Sequence, residues 1–251
     1  MKIQYCSDLH LEFEHNSKYM ETFPLKKSGE VLILAGDIIP LHDEFFNSPF
    51  FNRISELYDE VFWVPGNHEF YYCDIKDYSS SFEIKLKKNV RILHNKELEY
   101  KGVRFVFSTM WSKISPAHEK EIEQGVSDYA CILNNGKKLK VKESNQLHNQ
   151  SMLFLKEALN KKNSKTVVVT HHLPSDLCNS PEYRNSPVNE AFCTDYNKLI
   201  FESGASFWIY GHSHFNQKPV YINKTILLTN QLGYVKQNEQ FDYRNNAFFV
   251  L

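Results

Sequence analysis

A chain of 251 residues, 42% apolar and 24% charged, has the balance of a folded globular protein rather than of a disordered or fibrous one. Its net charge of −1 gives no global attraction to nucleic acid or anionic membrane, and no apolar run approaches the roughly 20 residues of a membrane span. Five widely spaced cysteines without a C-x-x-C pair suggest neither a disulfide framework nor a thiolate metal site, and are expected to be reduced and mostly buried.

The first residues lack the apolar core and cleavage site of a signal peptide, so a cytoplasmic protein is expected. Short runs rich in β-branched residues predict buried strands at 2–6, 31–35, 61–64, 103–107, 166–169 and 207–210. Amphipathic stretches of helical period, clearest at 146–159 and 195–202, alternate with them and predict an α/β architecture, with 1–251 as one domain. Strand-like runs at 218–221, 225–229 and 247–251, the first two joined by the turn Asn223-Lys224, predict an antiparallel addition that a second, packed sheet would accommodate. Residues 111–142 and 174–192 show little period, and such stretches beside strand ends read as functional loops. The clusters Lys85/Lys87/Lys88, Lys137/Lys138/Lys140/Lys142 and Lys161/Lys162/Lys165 read as solvated helix or hairpin faces.

Five short sequences follow or end a predicted strand: Asp8-Leu9-His10, Gly36-Asp37, Gly66-Asn67-His68-Glu69, Thr170-His171-His172 and Gly211-His212-Ser213-His214. Strand carboxyl ends converge on one crevice in α/β sheets, so these groups can meet in space. Residues i and i+2 leaving a strand share a face, which suits Asp8/His10 and His212/His214 as pincers. Gly36, Gly66 and Gly211 let the backbone turn sharply and approach an ion closely.

Imidazole and carboxylate ligands without sulfur favour Mn, Fe, Zn, Co or Ni over an all-oxygen Ca or Mg cage. Two carboxylates, Asp8 and Asp37, with neutral histidines and the Asn67 amide oxygen, leave two divalent ions half neutralised. That residual charge attracts a phosphate, and metal coordination can lower a water pKa to about 7. Paired ions can then stabilise the entering and leaving oxygens of an in-line displacement.

With its blocks in the order D-x-H, G-D, G-N-H-[DE], H and G-H-x-H over residues 8–214, the sequence resembles the calcineurin-like metallophosphoesterase superfamily. The resemblance implies a four-layer α/β sandwich of two mixed sheets flanked by helices, with a dinuclear site at the strand carboxyl ends. It implies that Asp8, His10, Asp37 and His214 hold one metal, and that Asp37, Asn67, His171 and His212 hold the other, Asp37 bridging; Mn, Fe or Zn are the expected ions. His171 is preferred to His172 because the motif histidine directly follows the strand. His68 is the implied catalytic residue, stabilising the phosphoryl oxygens or protonating the leaving alkoxide during attack by a metal-bridging hydroxide.

Serine/threonine protein phosphatases of the superfamily extend the second block to G-D-x-x-D-R-G, and here Pro40 replaces the second aspartate. A protein phosphatase is therefore not expected, and either Asp43 or Glu69 serves His68 or the histidine works without a carboxylate. The longer segments S-D-L-H-L-E-F and V-P-G-N-H-E-F-Y resemble small bacterial or phage-like phosphohydrolases. The expected partner is a phosphate-ester substrate, monoester or diester, with nucleic acid only as substrate and no membrane. The alternatives are a nuclease of the same superfamily and a non-catalytic binding module, and the retention of His68 with all seven ligand positions argues against the module.

Several residues keep an ordinary first reading. His15, His42, His94, His118 and His148 lie outside the five blocks, and Trp111, Tyr71 and Tyr72 read as core with a pocket-lining role as the alternative. Glu69 is read as orienting His68 or a ligand, or as capping a helix, and Arg184, in the irregular loop after His171, as solvent-exposed with a phosphate contact as the alternative.

Overall fold

In a computed structural model that describes residues 1–161 and 165–251, the chain forms two six-stranded mixed sheets packed face to face, with helices on their outer sides. Lys162, a member of one lysine cluster, lies outside the described residues. The first half supplies strands β1 (Lys2–Cys6), β2 (Val31–Leu34), β3 (Glu60–Trp63), β4 (Phe82–Lys87), β5 (Val90–His94), β6 (Lys96–Tyr100) and β7 (Val103–Ser108). A small hairpin follows, β8 (Leu133–Asn134) and β9 (Lys137–Lys138), then β10 (Thr166–Thr170), β11 (Phe207–Ile209), β12 (Val220–Ile222), β13 (Thr225–Leu228) and β14 (Phe248–Val250). The first sheet runs β14-β1-β2-β3-β5-β4 and the second β12-β13-β11-β10-β7-β6. In each, four parallel strands occupy the middle and an antiparallel strand closes either edge.

The layering follows from the two-residue side-chain period of a strand. Val31 and Ile33 of β2, Phe105 and Phe107 of β7, and Val167 and Val169 of β10 enter the layer between the sheets. Their alternates turn outward: Leu32 and Leu34 join Phe51 and Ile54, while Val106 and Val168 join Met152 and Leu155. Central strands are thus covered on both faces, which is why they read as unbroken apolar runs.

Phe51 and Ile54 belong to the helix α2 (Pro49–Leu57), which follows α1 (Glu14–Thr22). Ser48 caps α2, its hydroxyl accepting from Phe50 N at 3.3 Å, and Pro49 stands at the first helical position, where a missing N–H costs nothing. α3 (Glu119–Gly125) and α4 (Asp128–Cys131) join the same core cluster through Ile122 and Tyr129, while α5 (Val141–Asn160) and α6 (Asn197–Ser203) cover the outer face of the second sheet. The buried residues of α5, among them His148, Met152, Leu155 and Leu159, recur at three- and four-residue spacing and define one face.

The predicted strands are present within a residue or two, and the predicted helices correspond to α5 and α6. The C-terminal addition divides: β12 and β13 form the antiparallel hairpin, whereas β14 crosses to the first sheet and pairs with β1. Residues 111–142 are not one loop but contain α3, α4, the β8–β9 hairpin and the start of α5, elements too short to display a period. Among the described residues no helix is long and apolar enough to cross a membrane.

Candidate metal centre

β1, β2 and β3 are neighbours in the first sheet and β10 and β11 in the second, and the five motifs leave their carboxyl ends into one cleft. The chain bends hard as it leaves: Asp8, His10, Asp37, His212 and His214 have φ between 45° and 79°. Non-glycine residues in this left-handed region cost of order 1–3 kcal/mol each and persist where the surroundings enforce them. The glycines give the required approach, since a β-carbon on Gly66 would collide with the Asp37 carboxylate and one on Gly211 would stand 2.6 Å from Asp8 Oδ2.

Among the described residues three sets of donor atoms lie within 4.8 Å, Asp8/His10/His214, Asp37/His171/His212 and His10/Glu12/His68, the last sharing His10 with the first; the first two hold the predicted ligands. His10 Nε2 and His214 Nε2 face each other at 2.9 Å, and His214 Nε2 lies 3.6 Å from Asp8 Oδ1. In the second set His171 Nε2 stands 3.1 Å from His212 Nδ1, 3.1 Å from Asn67 Oδ1 and 3.3 Å from Asp37 Oδ1. The other Asp37 oxygen turns to the first set, 3.9 Å from His10 Nε2. Asp37 therefore stands between the two.

The opposite edges of these side chains are occupied in the manner expected of metal ligands. His171 Nδ1 lies 2.8 Å from Ala35 O, His214 Nδ1 2.6 Å from Glu239 Oε2, and His10 Nδ1 3.3 Å from Glu12 Oε1. Asn67 Nδ2 donates to Asp128 Oδ1 at 2.8 Å, which fixes its oxygen as the inward atom. His212 is the exception: among the described residues its buried Nε2 has no hydrogen-bond partner, and Nδ1 faces the cluster. Lone pairs thus converge with few protons to share, a donor set that fits cations.

His68 sits against this centre. Its Nδ1 lies 2.9 Å from Glu12 Oε1, its ring stacks on Tyr71 at 4.0 Å, and its backbone N–H donates to Asp37 Oδ1 at 2.9 Å. Burial disfavours the imidazolium, but the carboxylates of Asp37 and Glu12 outweigh burial and push the pKa up to about 9 on the protein's own charges. The same contest, with Asp37 as the main carboxylate, raises His171 to about 10, so a cation binding there must displace a proton. Burial and the neighbouring His68 instead lower His10, and burial first of all holds His212 well below the usual range.

Neither carboxylate proposed from sequence for His68 holds it: Asp43 is exposed, and Glu69 is spent elsewhere. Glu69 is fully buried and accepts from the backbone N–H groups of Asp37, Ile38 and Gly66 and from Trp63 Nε1, all within 2.6–2.9 Å. It ties two ligand loops together, while Glu12 takes the histidine. His172 is in none of these donor sets; its ring packs 4.1 Å from that of His212 and against Trp111, itself buried. Tyr72 is exposed, and Arg184 is exposed and makes no ion pair among the described residues.

Four contributors were missed from sequence. Glu12 had a signal, lying two residues past His10 as His10 lies two past Asp8. Asp128, which also accepts from Tyr71 Oη at 2.8 Å, lies in the stretch read as a loop. Tyr234 and Glu239 lie between β13 and β14 without a recognisable pattern. Glu239 Oε2 accepts from Tyr234 N at 2.6 Å, and Tyr234 Oη reaches His68 Nε2 at 3.3 Å.

Three likenesses to known proteins bear on this centre. A family model described as calcineurin-like phosphoesterase matches residues 1–216. An uncharacterized protein, L509, of Acanthamoeba polyphaga mimivirus is 32% identical over 265 residues, covering 96% of this chain and 94% of that protein. The crystal structure of the phosphopantetheinyl hydrolase PptH from Mycobacterium tuberculosis aligns with a TM-score of 0.70, covering 96% of this chain and 93% of that one. At 17% identity the last likeness is one of fold.

Proposed function

Because the chain belongs to the calcineurin-like phosphoesterase family, we propose that it is a phosphoester hydrolase working with two divalent cations. Residues 1–251 act as one catalytic domain, in the cytoplasm, on a phosphate-ester substrate. The observation that carries the reading is Asp37, whose two oxygens turn toward two separate clusters of inward-facing donors.

Asp8, His10, Asp37 and His214 would hold one ion, and Asp37, Asn67, His171 and His212 the other, with Mn, Fe or Zn suited to the mixed nitrogen and oxygen donors. Such a pair, when bound, supplies Lewis-acid activation of water and of the phosphoryl group. The protein supplies the proton. With Nδ1 engaged by Glu12, His68 presents Nε2 to the cleft and donates its proton to the leaving alkoxide as the ester O–P bond breaks. The Glu12 carboxylate beside Nδ1 favours the protonated ring.

The test is hydrolysis of bis(p-nitrophenyl) phosphate against p-nitrophenyl phosphate by chelator-stripped protein resupplied with Mn, Zn, Fe, Co, Ni or Mg. Turnover should depend on the added metal, and His68→Ala should lower kcat by roughly 10²–10⁴. Unchanged turnover in the variant would remove His68 from the mechanism. Absence of turnover with every metal would favour a binding module on the same fold.

A further inference from the structure

We infer that the cleft beside His68 receives a planar ring carried by the alcohol component of the phosphoester, and that Phe13 and Tyr234 select for it. This rests on the hydrolase reading above. His68 is closed on three sides: Nδ1 by Glu12, one ring face by Tyr71, and a neighbouring edge by the His10 ring at 4.3 Å and 72°. Its remaining nitrogen is Nε2, the proton donor of the hydrolase reading, and the group beside it is the Tyr234 hydroxyl at 3.3 Å. A leaving alcohol accepting that proton therefore departs along Tyr234.

Beyond Tyr234 lies a cavity of about 340 Å³ between residues 13–16 and 234–237. That is near the lower end of small-molecule pockets and suits one ring system rather than an extended chain. Phe13 and Tyr234 both line it, their rings 5.6 Å apart at 78°, and they are the lining residues that also approach His68. A planar guest in such a corner can stack offset on one ring while meeting the other edge-on, the two arrangements aromatic pairs prefer. Phe13 is 43% exposed although it is within 6.0 Å of His10 and 6.3 Å of His68, so a large apolar surface stands open beside a polar centre. Tyr234 also packs on the ligands themselves, its ring 4.7 Å from His10 and 4.5 Å from His214. Neither residue belongs to the five motifs, and Tyr234 lies past the segment matched by the family model. They are placed to read what is attached to the phosphate rather than the phosphate.

Non-hydrolysable phosphonates test this by calorimetry on the full-length Mn-loaded protein. Phenylphosphonate should bind at least tenfold tighter than methylphosphonate and several-fold tighter than n-butylphosphonate. Phe13→Ala, at an exposed position, should bring the phenyl-to-methyl ratio close to one, and Phe13→Trp should restore it. Equal binding of phenyl- and methylphosphonate by the wild type would overturn the ring site and leave the hydrolase reading standing. Butyl binding as tight as phenyl, or a ratio unchanged in Phe13→Ala, would also overturn it. If no phosphonate binds, the ring site falls, and turnover of the p-nitrophenyl esters decides the hydrolase reading separately.

Discussion

Glu12 reaches Nδ1 of His68 from the loop after β1, supplying the carboxylate that neither Asp43 nor Glu69 provides. One Glu12 oxygen serves His68 and His10 together, linking the proposed proton donor to the first donor cluster. Glu12→Gln keeps the size of the side chain but removes the charge that sustains the imidazolium. It should lower kcat by roughly 10–100-fold, as loss of such outer contacts does, and steady-state kinetics on the better p-nitrophenyl ester would show it. A variant as fast as the wild type would mean that His68 is held adequately by Tyr71 alone. The position was within reach of the sequence, because D-x-H-x-E continues the alternation that paired Asp8 with His10. Tyr234 and Glu239 were not, since their roles arise from how an irregular segment folds back over His214, and nothing in composition or period records that.

Among the elements, legibility tracked burial. β1, β2, β7, β10 and β11 are covered on both faces, so their apolar runs are dense and their ends sharp. β4 escaped notice because it lies at an edge, where Glu83, Lys85 and Lys87 interrupt its apolar positions, and β5 beside it because Arg91 and His94 break its short run. The strand ends also explain why glycines were informative while the ligands' own backbone was not. A glycine shows in sequence that space is short; a left-handed aspartate or histidine looks like any other. At Gly66 the constraint is space alone, since an added β-carbon would meet His171 Cδ2 and Nε2 at 2.7 Å as well as the Asp37 carboxylate. Gly66→Ala should therefore displace both ligands and weaken binding at the second cluster by roughly tenfold or more. Chelator competition read by elemental analysis measures this, with circular dichroism to verify that β2 and β3 persist. Retained affinity would mean that the loop after β3 can move aside.

Across the whole molecule both clusters of predicted ligands are shared between the sheets. Asp8 and His10 from the first meet His214 from the second, and Asp37 from the first meets His171 and His212 from the second. Cations held there tie the halves together in the native state only, so they should stabilise it by mass action. At a free metal concentration 100-fold above Kd the gain is about 2.7 kcal/mol, or roughly 5–10 °C in Tm for a chain of this size. Thermal scans in chelator and in Mn or Zn would register the shift; coincident curves would mean that the donors bind too weakly to matter.

The same sharing sets an order of events during synthesis. His10 and His214 are separated by 204 residues, so at about 5–20 residues per second a ribosome delivers the second some 10–40 s after the first. Throughout that interval the nascent chain carries an unmatched pair of donors. Until β11 and the turn beyond it emerge, neither donor cluster can be completed, so on the two-cation reading metal would load late in synthesis rather than early.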